Sequence, residues 1–543
     1  MIQCKGAMYL RYHKARRPID LNLSKSRSRM IASEKEQGML RQNKKIKGKI
    51  KDKLPLLWGA TAAVVALGMI VHSVSMFHLF ELTPDFANFY QATYLIAHGH
   101  LYPFDTVFPH NYPHYGFPFL KSHGEVFTWA LAPLIWLSPS GVALLVAQDL
   151  AIAGSQLLAA LCIHAILQKR GVVTEVITTL VFVFLNPWYY FAAFFDFHLE
   201  PFALLFLTAL IFSYIDGKRY LAAVLAILVA STGDVPATYL VGVGLGLFLI
   251  SPSKNRSALF FAAFGLSVFV FDSLFHLNEA SSLLSRYGYL AGNKAPLNVG
   301  SLLVGVLSHP SIAFETLRGN AKYVAPFLGS GGVIGLLTPL GLAISAVVLM
   351  GPILVPNATF LQNYDSFQII AIEPALAISG ALVIAWTGKN RERLLAKVAE
   401  AALWLSVVSA VVITYPNLLS AKDFNATVTR GIATDLSRTL RKIPNTAEVI
   451  VANGVAGRFA ARRLIYPIVS FQNIYVPIWS HTTYVVVSTQ GISDPTAMQL
   501  RVISHFLLSE SGSVRALINT PTVSVYEINS KSVGYYLRFP PTA

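Results

Sequence analysis

Leu82-Thr83-Pro84-Asp85-Phe86-Ala87-Asn88-Phe89-Tyr90-Gln91 places one carboxylate at the start of a helix expected to run to about Ala97. Capping accounts for part of it: Thr83 caps, Pro84 takes the first helical position and Asp85 suits the positive end of the dipole. The chemical reading is sharper. A carboxylate on a helix lined by Phe86, Phe89, Tyr90 and Tyr94, at the rim of a lipid-facing cavity, can act as a general base on an acceptor hydroxyl. Phe195-Asp196-Phe197-His198-Leu199-Glu200-Pro201 then puts three titratable groups within five residues. Pro201 disfavours helix at Glu200, so a new helix starts there, and capping alone does not need three ionisable groups. With Asp85 and Asp234, these side chains could bind an acceptor or a cation, or raise one another's pKa.

Other candidates are weaker. His98, His100, His110, His114 and His123, with His198, raise the idea of a metal, but Pro113 breaks the His110 to His114 spacing and no cysteine joins them. No metal ligand is assigned, and a divalent cation at the outer carboxylates is the one cofactor the pattern admits. His123 and Glu125 precede Phe127 to Ser138, a stretch suited to a re-entrant or interfacial helix. Gln148-Asp149 inside an apolar run is more often helix glue than a reactive pair. Arg286, Lys294, Arg318 and Lys322 are the cations able to hold a phosphate.

The elements that must position these residues follow from composition. The chain has 543 residues, 54% hydrophobic and only 13% charged, against roughly a quarter charged in a soluble domain. That excludes a soluble enzyme. Apolar runs long enough for a bilayer recur along most of it, so a polytopic α-helical membrane protein is expected. Residues 1–53 hold sixteen Lys+Arg and four Asp+Glu, which supplies +12 of the +16 net charge. The basicity is a tail, suited to anionic membrane lipids rather than nucleic acid. Cys4 lies in that tail and Cys162 in an apolar run, so no disulfide framework exists.

The first apolar run, Leu54 to Phe80, is a full span with no cleavage site and reads as a signal anchor. Basic loops at 168–170, 216–219, 253–256 and 389–393 mark the inner side. Alternation then gives about eleven spans, with the N-terminus inside and the C-terminus outside, in the plasma membrane. Tyr220 to Ile250 is short for two crossings, which places Gly233-Asp234 below the surface, where a carboxylate is costly unless used. Val324 to Pro356 is tight and glycine-rich. Beyond Tyr415 the pattern becomes a small extracytoplasmic α/β domain, with a helix over Thr427 to Lys442, strands over Glu448 to Ala452, Thr483 to Ser488 and Thr522 to Ile528, a helix-like piece after the first strand, and a helix from Pro495 to near Glu510. The organisation is thus a basic tail (1–53), a transmembrane domain (54–420), the α/β domain (421–530) and a C-terminal tail (531–543).

Taken in order, Asp85 to Gln91, His123 with Ala132-Pro133-Leu134, Gln148, Asn186-Pro187, Asp196-Phe197-His198 with Glu200, Asp234, and Arg286-Tyr287-Gly288-Tyr289-Leu290-Ala291-Gly292 resemble the bacterial and archaeal predicted multi-pass membrane proteins called domain of unknown function 2079. The resemblance covers roughly residues 54 to 530. The chain differs at Gly233, where the family more often carries an acidic residue, and at Phe86-Ala87, where Leu-Gly is common. The family's layout is similar to that of GT-C glycosyltransferases. That likeness implies a polyprenyl-phosphate sugar donor, Asp85 as the base, and Tyr90, Gln91, His123, Asp196, His198, Glu200, Asp234 and Arg286 as substrate-binding residues. Two other functions fit the same sequence: a transporter or lipid flippase coupled through Asp149 and Asp234, and a non-enzymatic envelope assembly factor docking through its outer domain.

Overall fold

The computed structural model describes residues 51–107, 117–120, 124–253, 255–275, 286–291, 299–356, 367–390, 393–416, 428–468, 475–489, 502, 505–507, 509 and 514–538. Its first helix, α1 (Leu54–His78), is followed by α2 (Pro84–Ala97), the short strands β1 (Phe104–Asp105) and β2 (Phe117–Pro118), and α3 (Thr128–Leu137). Then come α4 (Val142–Leu167) and α5 (Val172–Thr179), which continues through a π-turn at Leu180–Phe184 into α6 (Pro187–Phe194). The helical part goes on through α7 (Glu200–Ile215), α8 (Arg219–Ser231), α9 (Asp234–Ile250), α10 (Ala258–Phe275), α11 (Val299–Ser308), α12 (Pro310–Gly332), α13 (Pro339–Met350), α14 (Ile372–Asn390) and α15 (Arg393–Val408).

Among the described residues three segments are long and apolar enough to cross a membrane: Leu54–His78, Val142–Leu167 and Val172–Phe194. The described residues also include shorter apolar helices, such as Glu200–Ile215 and Asp234–Ile250. On α1 the side chains of Leu56, Val64, Leu67 and Val71 are exposed. An apolar helix exposing such a stripe is solvated by lipid rather than water. α4 lies at the centre, packed by α1, α7 and α14. α9 packs closely on α13, where an added Cβ at Gly242 or Gly246 would stand 2.7 Å or 2.6 Å from the α-carbon of Ile344 or Leu340. Small residues at such a crossing let the backbones meet. Where α8 turns into α9, Gly233 has φ 142°, a conformation open to glycine and strained for other residues.

The C-terminal region holds α16 (Arg430–Lys442) and strands β3 (Glu448–Ala452), β4 (Ile465–Ile468), β5 (Tyr475–Ile478), β6 (Thr482–Ser488), β7 (Val514–Asn519), β8 (Val523–Asn529) and β9 (Tyr535–Arg538). Five of them form a sheet in the order β4-β3-β6-β8-β7, with β4, β3 and β6 parallel and β8 and β7 antiparallel to their neighbours. The helix-like piece expected after β3 is a pair of 3-10 turns, Asn453–Val455 and Gly457–Phe459, followed by β4, which the sequence reading lacks. β4 is a short buried strand, and apolar runs of that length carry no period that separates strand from helix. β9 pairs with β5 inside the stretch 531–543 expected to be a tail. The helix expected from Pro495 to Glu510 falls largely outside the described residues.

One hydrophobic core joins the two parts. Phe77, Phe80, Leu82 and Phe86 of the bundle pack in the same buried cluster as Val449, Val451, Phe459 and Ile465. At about 1.5–3 kcal/mol for each fully buried large side chain, this contact fixes the sheet against the end of α1 and the flank of α2.

Candidate functional site at the start of α2

The N-terminus of α2 has unpaired backbone donors, as every helix start does. Thr83 accepts from the Asp85 amide at 3.2 Å through its hydroxyl. Asp196, distant in sequence and completely buried, takes the rest. Its Oδ2 accepts from the Thr83 amide at 2.7 Å, from the Phe86 amide at 3.2 Å and from the Thr83 hydroxyl, while Oδ1 accepts from the Phe197 amide at 2.8 Å. Burial pushes its carboxyl up to about 7, against the hydrogen bond from Thr83 and with help from the nearby Asp85 charge.

Gln148 of α4 locks the turn that carries Asp196. Its Nε2 donates to the Asp196 carbonyl at 2.9 Å and its Oε1 accepts from the His198 amide at 2.7 Å. The polar side chain inside the bundle is helix glue of a particular kind, a two-point clamp on a loop. The His198 ring packs against both Phe195 and Phe367, with centroids 5.2 Å and 3.7 Å away and those two rings 5.4 Å apart, and meets the edge of Phe89 at 5.9 Å. So held, His198 Nε2 stands 3.9 Å from Asp85 Oδ2. The Asp85 side chain is 40% exposed and that of His198 9%. A carboxylate open to an incoming molecule, with an imidazole beside it, can accept a proton from that molecule and lose its own charge in doing so.

Glu200 and Asp234 start α7 and α9 and are half-buried. Both lie within electrostatic reach of Tyr239, whose hydroxyl donates to the Gln368 carbonyl. The neighbouring Phe367 stacks on His198, so the 367–368 segment links the two groups.

Tyr90 and Gln91 turn elsewhere. The Tyr90 hydroxyl donates to the Pro139 carbonyl, and its ring fills the space beside Gly141, where φ is 77° and an added Cβ would lie 2.9 Å from it. Gln91 donates to the Thr106 hydroxyl at 2.7 Å and to the Arg463 carbonyl at 2.8 Å, and accepts from the Thr106 amide at 3.1 Å. The structure therefore places Gln91, completely buried, in a bridge between α2 and the α/β domain. Arg286 is exposed beside Tyr287. His123, His110 and His114 lie outside the described residues. Among the described residues no three His, Cys, Asp or Glu side chains are grouped to hold a metal ion.

Two buried acids, Glu81 and Asp272, escape the sequence reading of the site, and Glu125 is read there only as preceding Phe127 to Ser138. Glu81, 7% exposed, has its carboxyl pushed up to about 7 by burial. Glu125 and Asp272 are buried where the chain before α3 meets the bundle. There Gly124, at φ 63°, leaves room for the Asp272 carboxylate, and the Phe127 amide donates at 2.7 Å to the Ser231 carbonyl, near Asp234. An acid near the end of an apolar run, as Asp272 is, is the signal that could have drawn attention to it.

The α/β domain backs this arrangement. The Gly457 amide donates to the Leu82 carbonyl at 3.4 Å, and Arg458 lies over Phe80 at 4.1 Å and Phe77 at 4.9 Å while donating to the His78 carbonyl at 3.2 Å. Burial lowers the Arg458 and Arg462 guanidinium groups to about 10. Comparison with curated proteins finds no match. The family model described as predicted membrane protein (DUF2079) matches residues 76–499, from the end of α1 through most of the α/β domain, and the chain belongs to that family.

Proposed function

We propose that the protein is a glycosyltransferase that moves a sugar from a polyprenyl-phosphate donor to an acceptor at the outer face of the plasma membrane. The observation that carries the reading is the exposed Asp85 carboxylate, fixed at a helix start with His198 Nε2 3.9 Å away. In this mechanism Asp85 takes the proton of an acceptor hydroxyl as its oxygen bonds to the anomeric carbon. The bond from that carbon to the phosphate oxygen breaks, and the phosphate leaves with the electron pair. Charge developing on the sugar is stabilised by the acidic side chains, and the leaving phosphate by a cation such as Arg286. Asp196 and Gln148 act through Asp85 and His198 as positioning residues, and Glu200 and Asp234 line the acceptor side. The site faces outward, with the basic tail on anionic lipid at the other face.

The test is turnover of polyprenyl-phosphate-linked sugars by the full-length protein in liposomes. Wild type consumes the lipid-linked sugar and Asp85→Asn does not, at unchanged protein level and thermal midpoint. Equal turnover in both would end the proposal. A second reading, proton-coupled transport, is favoured by Asp149, a carboxylate completely buried within the span Val142–Leu167. It requires substrate flux into liposomes that depends on a proton gradient.

A further inference from the structure

Below the Asp85 rim, the span over Val172–Phe194 is broken by the π-turn and by Asn186-Pro187. Such a break frees backbone carbonyls that a bilayer cannot satisfy. Side chains take them up: Gln156 donates to the Val183 carbonyl at 3.2 Å, the Tyr190 hydroxyl to the Phe184 carbonyl at 2.5 Å, and Asn186 to the Phe182 carbonyl at 3.5 Å. The same Asn186 amide donates at 2.6 Å to Oε2 of Glu373, in the first turn of α14. Glu373 is completely buried. Its Oε1 and the buried hydroxyl of Tyr189, which lies within its electrostatic reach, have no hydrogen-bond partner among the described residues.

A carboxylate in such a place needs a neutralising partner. Among the described residues, Lys, Arg and His form no ion pair with Glu373. The titratable groups on helices packed against α14 include Asp149 and His164 of α4, Glu175 of α5, Glu200 and Tyr214 of α7, Glu315, Arg318, Lys322 and Tyr323 of α12, and Lys397 and Glu400 of α15. Of these, His164 and Glu175 are paired with each other at 2.5 Å. A metal ion would want several anionic ligands, and among the described residues Glu373 belongs to no group of three such side chains. A proton needs one carboxyl and an acceptor for its hydrogen.

We propose that Glu373 is a membrane-embedded proton-binding site: Asn186 holds Oε2, and Oε1 carries the proton on the side of the Tyr189 hydroxyl. Tyr189 and Glu373 stand on the two segments that, at Phe195 and Phe367, stack against His198. Loss of the proton would leave one negative charge on Glu373, within electrostatic reach of Tyr189 on the other segment. The site is defined independently of any sugar transfer at the rim.

Infrared difference spectra of the full-length protein in bilayers, wild type against Glu373→Gln, test the proposal. The expected result is loss of one band of a protonated carboxyl, and Tyr189→Phe shifts that band. Loss of carboxylate bands instead overturns it. Dicyclohexylcarbodiimide, an apolar reagent that adds to protonated carboxyls, gives a second readout should Glu373→Gln fail to fold. A stable adduct on the wild-type Glu373 peptide, unaffected by sodium or potassium, supports the proton. Suppression of that adduct by either ion assigns the site to a metal cation and overturns the proposal.

Discussion

The rim at the start of α2 and the layer around Glu373 use the same residue types to opposite ends. At the rim, Asp196 is buried with four donors on its two oxygens, and the exposed Asp85 stands on the helix start that three of those donors belong to. In the layer, Glu373 is equally buried but has one donor, Asn186. Burial alone therefore does not decide what a carboxylate does. The number of donors does, because each one offsets part of the cost of removing the group from water. A well-supplied buried acid becomes scaffold for its exposed neighbour, whereas a poorly supplied one stays chemically open.

The largest expected effect breaks the rim pair at its exposed member. Asp85→Asn keeps the Thr83 cap and the Asp196 contacts, so the helix start survives while the base is lost. Under the transferase proposal, turnover should fall by about 10²–10⁴, the usual contribution of a general base, with no change in thermal midpoint. Asp196→Ala has the reverse signature. It removes the acceptor for Thr83 and Phe86, leaving buried donors unsatisfied at a cost of about 1–3 kcal/mol, read as a lower midpoint and faster amide exchange across Thr83 to Phe86. If Asp85→Asn also lowered the midpoint by a comparable amount, the division between scaffold and reactive group would fail.

That division explains what could be read from the sequence. Thr83, Pro84 and Asp85 declared a helix start because capping is local chemistry, and α2 begins where they place it. Asp196 was legible as part of an acidic turn, but its reach back to Thr83 spans 113 residues, and no spacing rule carries that far. Gln91 groups with Asp85 in the sequence, yet six residues along a helix turn its side chain about 120° away, and its partners Thr106 and Arg463 belong to other elements. The strands Glu448–Ala452 and Thr482–Ser488 showed as apolar β-branched runs. β4 and β9 did not, because at four residues each they are too short to show a period, and pairing with β3 and β5 is what defines them.

A smaller effect tests whether the α/β domain supports the rim. Arg458→Ala removes the stacking on Phe77 and Phe80 and the bond to the His78 carbonyl. Cation–π and packing losses of this kind are about 0.5–2 kcal/mol. The domain should loosen, with faster proteolysis between α16 and β9, while Glu373-dependent infrared bands stay as they are. A change in those bands would mean the two regions are coupled more tightly than their contacts suggest.

The last test is a slope with pH. Asp196 has a folded value of about 7, above the roughly 3.9 of an unfolded Asp, so between those values the folded protein binds more protons. Its contribution is complete below about pH 4 and is lost as pH rises through 7, at ~1.4 kcal/mol per pH unit for one proton. Thermal midpoints in detergent micelles should therefore decline from pH 4 to 7, and Asp196→Asn should flatten that decline. Glu81, raised for the same reason, shares the direction and leaves a residual slope in the variant. An identical slope in wild type and variant would mean that the four donors on Asp196 outweigh its burial and keep it ionised. The contrast between a charge held by donors and one neutralised by a proton would then be sharper still.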